Sequence, residues 1–235
     1  MAPKRAGSPF FLFAGVAFFV LYVIVALLVH YNLTQSFDSH LAEQINASFG
    51  PVFSELMYVA SAYGREWFWI PIVGLMLIFG KQDTKMIAIE LAILFVLGII
   101  TGTVAKDIEF RTRPFLLLPS AITLRVSPDY DSSFPSGHAV IVSLGASFLI
   151  AKYHKSTIKA KLAIFLVTIE AAIVCYSRVY NGVHFPTDVL GGIFLGVSIA
   201  LIGSYFLEKY FSKYLQKGTS ITLRIARLLK LPEVL

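Results

Sequence analysis

The sequence has little charge and almost no cysteine. Only 14% of its 235 residues are charged, against about a quarter in soluble domains, and its mean hydropathy is +0.74. These values exclude an ordinary soluble protein and indicate a membrane protein. The single cysteine, Cys175, lies in an apolar run, which excludes an intramolecular disulfide and argues against a cysteine-based metal site. The length suits one compact helical domain, residues 1–235.

Long apolar runs are what the sequence has in abundance. A helix of about 20 largely apolar residues spans a bilayer, and six such spans are predicted, at residues 10–29, 67–80 with a start near Val59, 85–105, 138–151, 162–176 and 189–206. We therefore expect an all-α, polytopic membrane protein with six transmembrane helices in one bundle. The first run is expected to be a retained span and not a signal peptide. The polar residues 32–50 predict a loop or a surface helix.

The distribution of basic residues predicts the orientation. If the N-terminus is cytoplasmic, 14 lysines and arginines lie inside and 6 lie outside. Cytoplasmic segments carry such an excess of positive charge, so both termini are expected in the cytoplasm. The net charge of +6 thus reports topology, and no nucleic-acid partner is expected. The basic tail at 211–235 is either a surface helix on anionic lipid or a disordered segment.

Three cations stand at predicted helix ends on the outer side. Lys106 closes the third span, Arg113 follows seven residues later and precedes Pro114, and Arg178 closes the fifth span. A single cation at a helix end is usually an interface anchor. Each of these three lies beside other reactive groups, however, which favours a functional interpretation.

The segment Phe-Pro-Ser-Gly-His, residues 134–138, opens the fourth span. Gly137 allows the backbone to approach a ligand closely, and free N–H groups at a helix start bind anions. Ser136 adds a hydroxyl group. An ordinary serine cap would explain Ser136, but it would give no reason for His138.

A histidine and a carboxylate meet at the start of the sixth span. His184 and Asp188 are four residues apart around Pro186, a residue favoured in the first turn of a helix. We expect Asp188 to accept a hydrogen bond from one ring nitrogen of His184, which would fix the tautomer and raise the basicity of the other nitrogen. With a second histidine and three cations on the same face, a purely structural role is disfavoured.

These segments follow the pattern K-x6-R-P, then P-S-G-H, then S-R-x5-H-x3-D, over residues 106–188. The pattern covers about a third of the chain and resembles that of the type 2 phosphatidic acid phosphatase superfamily, every defining position being filled. The six-span layout is similar to the integral-membrane branch of that family. The resemblance implies a lipid phosphatase in which His184 is a nucleophile that forms a phosphohistidine, Asp188 orients and activates it, and His138 is the general acid. It also implies that the phosphoryl oxygens are bound by Lys106, Arg113, Ser136, Gly137 and Arg178, with no metal and no cofactor.

The resemblance leaves the substrate open. A polyprenyl diphosphate, cleaved to the monophosphate on the extracytoplasmic face of a plasma membrane, is favoured by analogy with compact family members. The alternatives are a phosphatidylglycerophosphate or phosphatidate phosphatase and a lipid phosphotransferase with the same site. A transporter or a non-catalytic scaffold would leave the two histidines and three cations unexplained. The expected partners are the lipid phosphate and membrane lipids, and the oligomeric state is open.

Other residues lie outside the pattern. Glu90 and Glu170 fall within spans. Each is either part of a proton or ion pathway or, as we favour, a structural residue that hydrogen-bonds to another helix. Pairs of glycines at 98/102 and 192/196 predict close helix packing within the chain. Arg111 is expected to contact the interface or the substrate tail. The apolar residues 115–119 either dip into the outer leaflet or are buried against the bundle.

Overall fold

The computed structural model describes residues 8–47, 49–153 and 156–211. Within those ranges every regular element is helical, which confirms the all-α prediction. The described ranges contain nine α-helices, and five residues of π-helix, Leu207–Phe211, extend the last of them. The helices are α1 Pro9–His30, α2 Gln35–Ala47, α3 Pro51–Tyr63, α4 Glu66–Phe79, α5 Gln82–Ile108, α6 Pro114–Leu117, α7 Gly137–Tyr153, α8 Ile158–Tyr180 and α9 Pro186–Phe206. Apart from Phe211, the predicted basic tail lies outside the described residues.

Helix α7 is the centre of the bundle. It packs against α9, α8 and α5, while α1 packs along α9. Its apolar side chains are buried on nearly every side, among them Val140, Val142, Leu144 and Phe148. A helix that is apolar all round is stable only when other helices enclose it, which places the first turn of α7 deep among its neighbours.

Glycines let α9 approach α7 closely. A β-carbon at Gly192 would lie 2.6 Å from the carbonyl oxygen of Ser136, and one at Gly196 would lie 2.3 Å from that of Val140. Both distances are well below van der Waals contact, so only glycine fits there. The predicted packing within the chain is therefore confirmed for this pair. On α5, a β-carbon at Gly98 would lie 2.9 Å from a Leu144 methyl carbon, whereas one at Gly102 would meet nothing within 4 Å. The close packing predicted for that pair is therefore confirmed at Gly98 and wrong at Gly102.

The second predicted span is interrupted. Helix α3 ends at Tyr63 and α4 begins at Glu66, so the expectation of one continuous helix from near Val59 is wrong. Gly64 is a poor helix former and is pressed against α8, since a β-carbon there would lie 2.1 Å from a Val174 methyl carbon. Arg65 has the non-helical backbone angles φ −102° and ψ −91°. The break brings the end of α3 and the start of α4 to one polar cavity, described below.

Five of the six predicted spans each fall on one helix, and the second falls on α3 and α4. Among the described residues, three helices are long and apolar enough to cross a membrane. These are Pro9–His30, Gln82–Ile108 and Pro186–Tyr210, the last including part of the π-helix. Glu66–Phe79 and Gly137–Tyr153 are shorter apolar helices. The chain is therefore a membrane protein whose described regular elements are all helices, and the number of crossings and the side of each terminus stay predictions.

The two glutamates predicted within spans differ in their surroundings. Glu90 on α5 forms an ion pair with Lys152 on α7, with 2.6 Å between Oε2 and Nζ. Both side chains are buried, so Glu90 joins two helices as expected for a structural residue. The carboxylate oxygens of Glu170 have no hydrogen-bond partner in the part of the chain that the structure describes, and the hydrogen bond predicted for Glu170 is absent there.

Candidate active site

Four chain segments that the sequence motifs single out meet around a cavity of about 400 Å³. Helix α5 contributes its last turns, α7 its first turn, α8 its last turn, and the segment between α8 and α9 contributes His184. The start of α4 and the loops on both sides of α6 complete the wall. Most of the predicted site residues line this cavity: Lys106, Arg113, Gly137, His138, Arg178 and His184. The fold thus brings three motifs that are separate in sequence into one place.

The three cations are held by neighbouring oxygen atoms. Arg113 and Arg178 are only 1% and 4% exposed. Arg113 Nη1 donates to the carbonyl oxygen of Val183 at 3.0 Å, and Arg178 Nη1 donates to the hydroxyl group of Ser61 at the end of α3. Lys106 Nζ donates to the carbonyl oxygen of Ser132 at 2.8 Å. Buried positive charges are costly unless anions balance them, so the cavity suits a multiply charged anion.

Two carboxylates from the loop before α7 lie against these cations. Lys106 Nζ is 2.7 Å from Asp131 Oδ2, and Arg113 Nη2 pairs with the other oxygen of the same carboxylate. Asp129 Oδ2 lies 3.6 Å from Arg113 Nη2 and 3.9 Å from Arg178 Nη2. Burial acts to raise the pKa of Asp131, but the hydrogen bonds from Lys106 and Arg113 outweigh it and lower that pKa. Sequence analysis missed both acids because they stand outside every motif.

The geometry of His184 defines its tautomer. The ring is 2% exposed, and Nδ1 lies 2.7 Å from the carbonyl oxygen of Ser133. A carbonyl oxygen only accepts, so Nδ1 carries the proton and the lone pair is on Nε2. Burial lowers the pKa of His184 well below its ordinary value, and the charges of Arg113, Arg178 and Lys106 lower it further. At neutral pH the ring is therefore uncharged.

Asp188 lies behind this ring but does not hydrogen-bond to it directly. Asp188 Oδ2 is 3.7 Å from His184 Nδ1, beyond hydrogen-bonding distance. The expected direct hydrogen bond is therefore wrong for this structure, because the Ser133 carbonyl oxygen takes the Nδ1 proton. Instead, Ser133 Oγ donates to Asp188 Oδ2 at 2.5 Å, and the Phe185 N–H donates to it at 2.7 Å. Ser133 thus contacts both members of the predicted pair.

Arg111 is not at the membrane interface. It is 8% exposed and lies between two buried carboxylates, with Nη1 2.6 Å from Asp188 Oδ1 and Nη2 2.7 Å from Asp38 Oδ2. Burial acts to lower the pKa of Arg111, but the two carboxylates outweigh it and raise that pKa. The prediction that Arg111 contacts the interface or a lipid tail is wrong, because its guanidinium group is fully engaged inside the protein.

The PSGH segment is arranged as the start of α7. His138 lines the cavity beside His184, and its ring hydrogen-bonds to the backbone of Ser61. Ser136 is fully buried, and its Oγ accepts a long hydrogen bond of 3.5 Å from the Ala139 N–H. Its own N–H donates to the carbonyl oxygen of Asp188 at 3.0 Å. Ser136 therefore joins the starts of α7 and α9, and its binding to phosphate stays a prediction.

The apolar residues that follow Arg113 are divided between the surface and the core. They form the short helix α6, Pro114–Leu117. Phe115 packs against the hydrophobic core, whereas Leu116 and Leu117 are 46% and 44% exposed. Burial against the bundle is therefore confirmed for Phe115, and entry of Leu116 and Leu117 into the outer leaflet stays a prediction.

Comparison with known proteins points to one family. Residues 87–212 match the family described as PAP2 superfamily. The undecaprenyl-diphosphatase of Sulfolobus acidocaldarius is 41% identical over 71% of this chain and 76% of its own. Phosphatidylglycerophosphatase B of Bacillus subtilis is 28% identical over 84% of this chain and 97% of its own. The crystal structure of a transmembrane PAP2-type phosphatidylglycerolphosphate phosphatase from Bacillus subtilis superposes with a TM-score of 0.68 at 26% identity, covering 84% of this chain and 98% of that one.

Proposed function

Because the chain belongs to the PAP2 superfamily and is a lipid phosphatase of the membrane, we propose that it hydrolyses a polyprenyl diphosphate to the monophosphate through a phosphohistidine at His184. The observation that supports this most directly is the convergence of two histidines, two buried arginines and Lys106 on one cavity. The catalytic residues of the proposal are His184, His138 and Asp188.

In the first step, Nε2 of His184 attacks the terminal phosphorus of the substrate. The P–N bond forms as the bond between phosphorus and the leaving oxygen breaks, and His138 donates its proton to that oxygen. Asp188 and the Ser133 carbonyl oxygen stabilise the positive charge that develops on the His184 ring. Fixed charge and positioning supply most of the catalysis in phosphoryl transfer.

In the second step, water attacks the phosphorus of the phosphohistidine. His138 accepts a proton from that water, the P–N bond breaks, and inorganic phosphate leaves. Both histidines are then in their starting protonation states. Throughout, the phosphoryl oxygens are bound by Lys106, Arg113, Arg178, the Gly137 N–H and the Ser136 hydroxyl. These groups provide the positive charge that a metal would provide in other phosphatases, so the proposed reaction needs no metal.

We further propose six membrane crossings with both termini in the cytoplasm and the cavity open to the extracytoplasmic side of the plasma membrane. Two observations support this arrangement. The basic residues divide 14 to 6 between the two sides, as cytoplasmic termini require. The site also gathers the ends of α5 and α8 and the starts of α7 and α9 at one end of the bundle, as the alternation of spans requires.

An apolar cavity beside the site supports a substrate with a long hydrocarbon tail. It has a volume of about 270 Å³, lies between α4 and α5, and includes Trp69, Ile70 and Phe95. Its wall and the wall of the charged cavity share Arg65, Glu66, Ile99 and Ile141. If the hydrocarbon tail of a lipid diphosphate lies in the apolar cavity, its terminal phosphate can lie beside His184. The other phosphate, which is attached to the tail, would then lie close to Arg65.

This arrangement predicts that Arg65 strengthens the binding of diphosphates but not of monophosphates. Arg65 pairs with Glu66, whose side chain is half exposed and free to move aside for an anion. Losing one charge-assisted contact costs about tenfold or more in binding. We expect Arg65→Gln to raise KM about tenfold for a polyprenyl diphosphate and to leave KM for the matching monophosphate nearly unchanged, both measured by phosphate release in detergent.

Arg125→Gln is the matched control for Arg65, because Arg125 is another outer-side arginine but does not line the cavity. It binds the carbonyl oxygens of Tyr180 and Asn46. Equal increases in KM for both substrates in Arg65→Gln would refute the assignment of Arg65 to the second phosphate.

The proposed function itself is tested with purified protein and a chelator. Phosphate release is compared for a C55 polyprenyl diphosphate, phosphatidylglycerophosphate and phosphatidate, with His184→Ala as the inactive reference. We expect release that resists the chelator, is absent in the variant and is fastest with the diphosphate. Release that a chelator abolishes, or that survives in His184→Ala, would contradict the phosphohistidine mechanism.

A phosphatidylglycerophosphate or phosphatidate phosphatase is the second candidate. The likeness to phosphatidylglycerophosphatase B of Bacillus subtilis and to the crystal structure of a phosphatidylglycerolphosphate phosphatase from the same species, each covered almost completely, favours it. The same three lipids decide between the candidates through the ratio of kcat/KM. A lipid phosphotransferase would use the same phosphohistidine, and it would be recognised by label appearing in a second lipid in place of inorganic phosphate.

A further inference from the structure

A buried chain of charges runs from helix α2 to the back of the His184 ring. Asp38 is fully buried, although it stands in a segment that the sequence marks as a loop or surface helix. Arg111 pairs with Asp38 on one side and with Asp188 on the other, at 2.7 Å and 2.6 Å. A buried Arg between two carboxylates gives a net charge of −1. None of the family motifs includes Asp38 or Arg111.

Thr187 at the start of α9 hydrogen-bonds to both Asp38 and Arg111. Its N–H donates to Asp38 Oδ1 at 3.0 Å, and its hydroxyl group donates to Asp38 Oδ2 at 2.5 Å. Arg111 Nη1 also donates to Thr187 Oγ1 at 2.9 Å, and its guanidinium carbon lies 4.4 Å from the centre of the Phe185 ring. The residues on both sides of Pro186 are thus fixed by groups from α2 and from the loop after α5.

Arg111 reaches His184 by two routes. Through its side chain it holds Asp188, whose Oδ2 lies 3.7 Å from His184 Nδ1. Through its backbone, the Arg111 carbonyl oxygen accepts the Ser133 N–H at 2.8 Å, and the Ser133 carbonyl oxygen accepts the His184 Nδ1 proton at 2.7 Å. The planar fork of an arginine suits such bidentate contacts with two carboxylates, which a lysine cannot reproduce.

We propose that Asp38 and Arg111 are a positioning pair that sets the orientation and the negative charge of Asp188 behind the nucleophile. This inference rests on the proposed role of His184. Neither residue lines the cavity that would bind the phosphate, so both act through Asp188 and Ser133 and neither touches the substrate.

The charge of the group makes the proposal testable by pH. His184 attacks in its neutral form, so activity falls as the pH drops through the pKa of His184. Arg111→Gln removes a positive charge and strengthens the negative field at His184, which raises that pKa. Asp38→Asn removes a negative charge and lowers it. Each change is expected to be about 0.5 to 1 pH unit, because the altered charge is separated from the ring by Asp188.

Other charged groups face His184, and they stay the same in every variant. They come from the start of α4, from α5, α7, α8 and α9, and from the loops around α6, and they are Arg65, Glu66, Lys106, Arg113, Asp129, Asp131, His138, Arg178 and Asp188. The pH dependence of kcat/KM is compared between variants on one substrate. A difference between variants therefore comes from the Asp38–Arg111 pair, because the other groups and the ionisation of the substrate are the same in all of them.

The experiment is the pH dependence of kcat/KM for a lipid phosphate, measured in detergent for five proteins. They are the unchanged protein, Arg111→Gln, Asp38→Asn, the double variant and Arg111→Lys. The acid limb of this profile is the low-pH range in which kcat/KM falls as His184 becomes protonated. We expect the acid limb to move to higher pH in Arg111→Gln, to lower pH in Asp38→Asn, and back to its original place in the double variant. We also expect kcat to fall about 10- to 100-fold in Arg111→Gln with little change in KM, and Arg111→Lys to keep the acid limb and recover part of kcat.

Several results would overturn the proposal. An acid limb that stays in place in both single variants, or moves the same way in both, shows that the pair is only structural. If Arg111→Gln does not fold, as judged by thermal unfolding, Asp38→Asn and Arg111→Lys decide the question. The proposal then requires the acid limb to move to lower pH in Asp38→Asn and to stay in place in Arg111→Lys, and an acid limb that stays in place in both overturns it. Arg125→Gln, which lies away from Asp188, is expected to leave the acid limb in place. An unchanged protein that releases no phosphate contradicts the proposed function instead, which keeps the two failures distinct.

Discussion

Replacing His184 with alanine is expected to reduce phosphate release from every lipid phosphate by at least about 10⁴-fold. The reason is that the variant lacks the atom that forms the P–N bond, while the cations that bind phosphate are unchanged. Binding should therefore persist when turnover is lost. The measurements are phosphate release and, with substrate labelled in the terminal phosphate, transfer of label to the protein. A phosphohistidine survives an alkaline quench and is lost in acid, which identifies the bond.

His30→Ala is the control for His184→Ala. His30 stands at the end of α1, where Nδ1 lies 2.9 Å from a Glu109 carboxylate oxygen, and its side chain is 60% exposed. It is expected to keep normal turnover and labelling. Label that accumulates on the protein in His184→Ala would show that another residue is the nucleophile.

Replacing His138 with asparagine is expected to slow the reaction in a way that depends on the leaving group. General acid catalysis is worth about 10²–10⁴-fold when the leaving oxygen is strongly basic. An alcohol leaving group, as in phosphatidate, is such a case. A phosphate leaving group, as in a polyprenyl diphosphate, has a second pKa of only about 6 and leaves without much assistance. We expect His138→Asn to lose the full factor with phosphatidate and about tenfold or less with the diphosphate.

The measurement is kcat for both lipids in the unchanged protein and the variant. Asparagine keeps a donor that can reach the backbone of Ser61, the hydrogen-bond partner of the His138 ring, so the start of α7 is preserved. Ser143→Ala, one and a half turns further along α7, is a folding control, because the Ser143 hydroxyl only donates to α7 and α9 carbonyl groups. Equal losses with the two lipids would refute the role of His138 as the general acid.

Sequence reasoning placed six of the eight predicted site residues on the cavity wall because that information is local. Arg113 precedes Pro114 at the start of α6, His184 lies two residues before Pro186 at the start of α9, and His138 lies in the first turn of α7. It failed wherever a partner is distant along the chain. Asp38 is 73 residues from Arg111 and 149 residues from Thr187, and nothing in the polar segment around it shows that it is buried. Asp131 was missed for a different reason, since one acid in a polar loop has no distinctive spacing.

The break between α3 and α4 shows a second limit. Hydropathy reports whether a segment can enter a membrane, but it does not report whether the helix is continuous. At the interruption, Gly64 lies so close to α8 that a β-carbon would be 2.1 Å from a Val174 methyl carbon, which is a property of the packed bundle. A signal was nevertheless present, because Gly64, Arg65 and Glu66 are consecutive residues that interrupt an apolar run.

The close contact of α7 and α9 has a consequence for an enzyme that works in a fluid bilayer. Changes in lipid composition or temperature alter bilayer thickness, and single helices respond by tilting. Backbones that touch at Gly192 and Gly196 can only tilt together. His138 lies in the first turn of α7, and His184 lies two residues before α9. A tilt of both helices together therefore leaves the distance between the two histidines unchanged. Cells that remodel their lipids would thereby keep the chemical step constant while the supply of substrate varies.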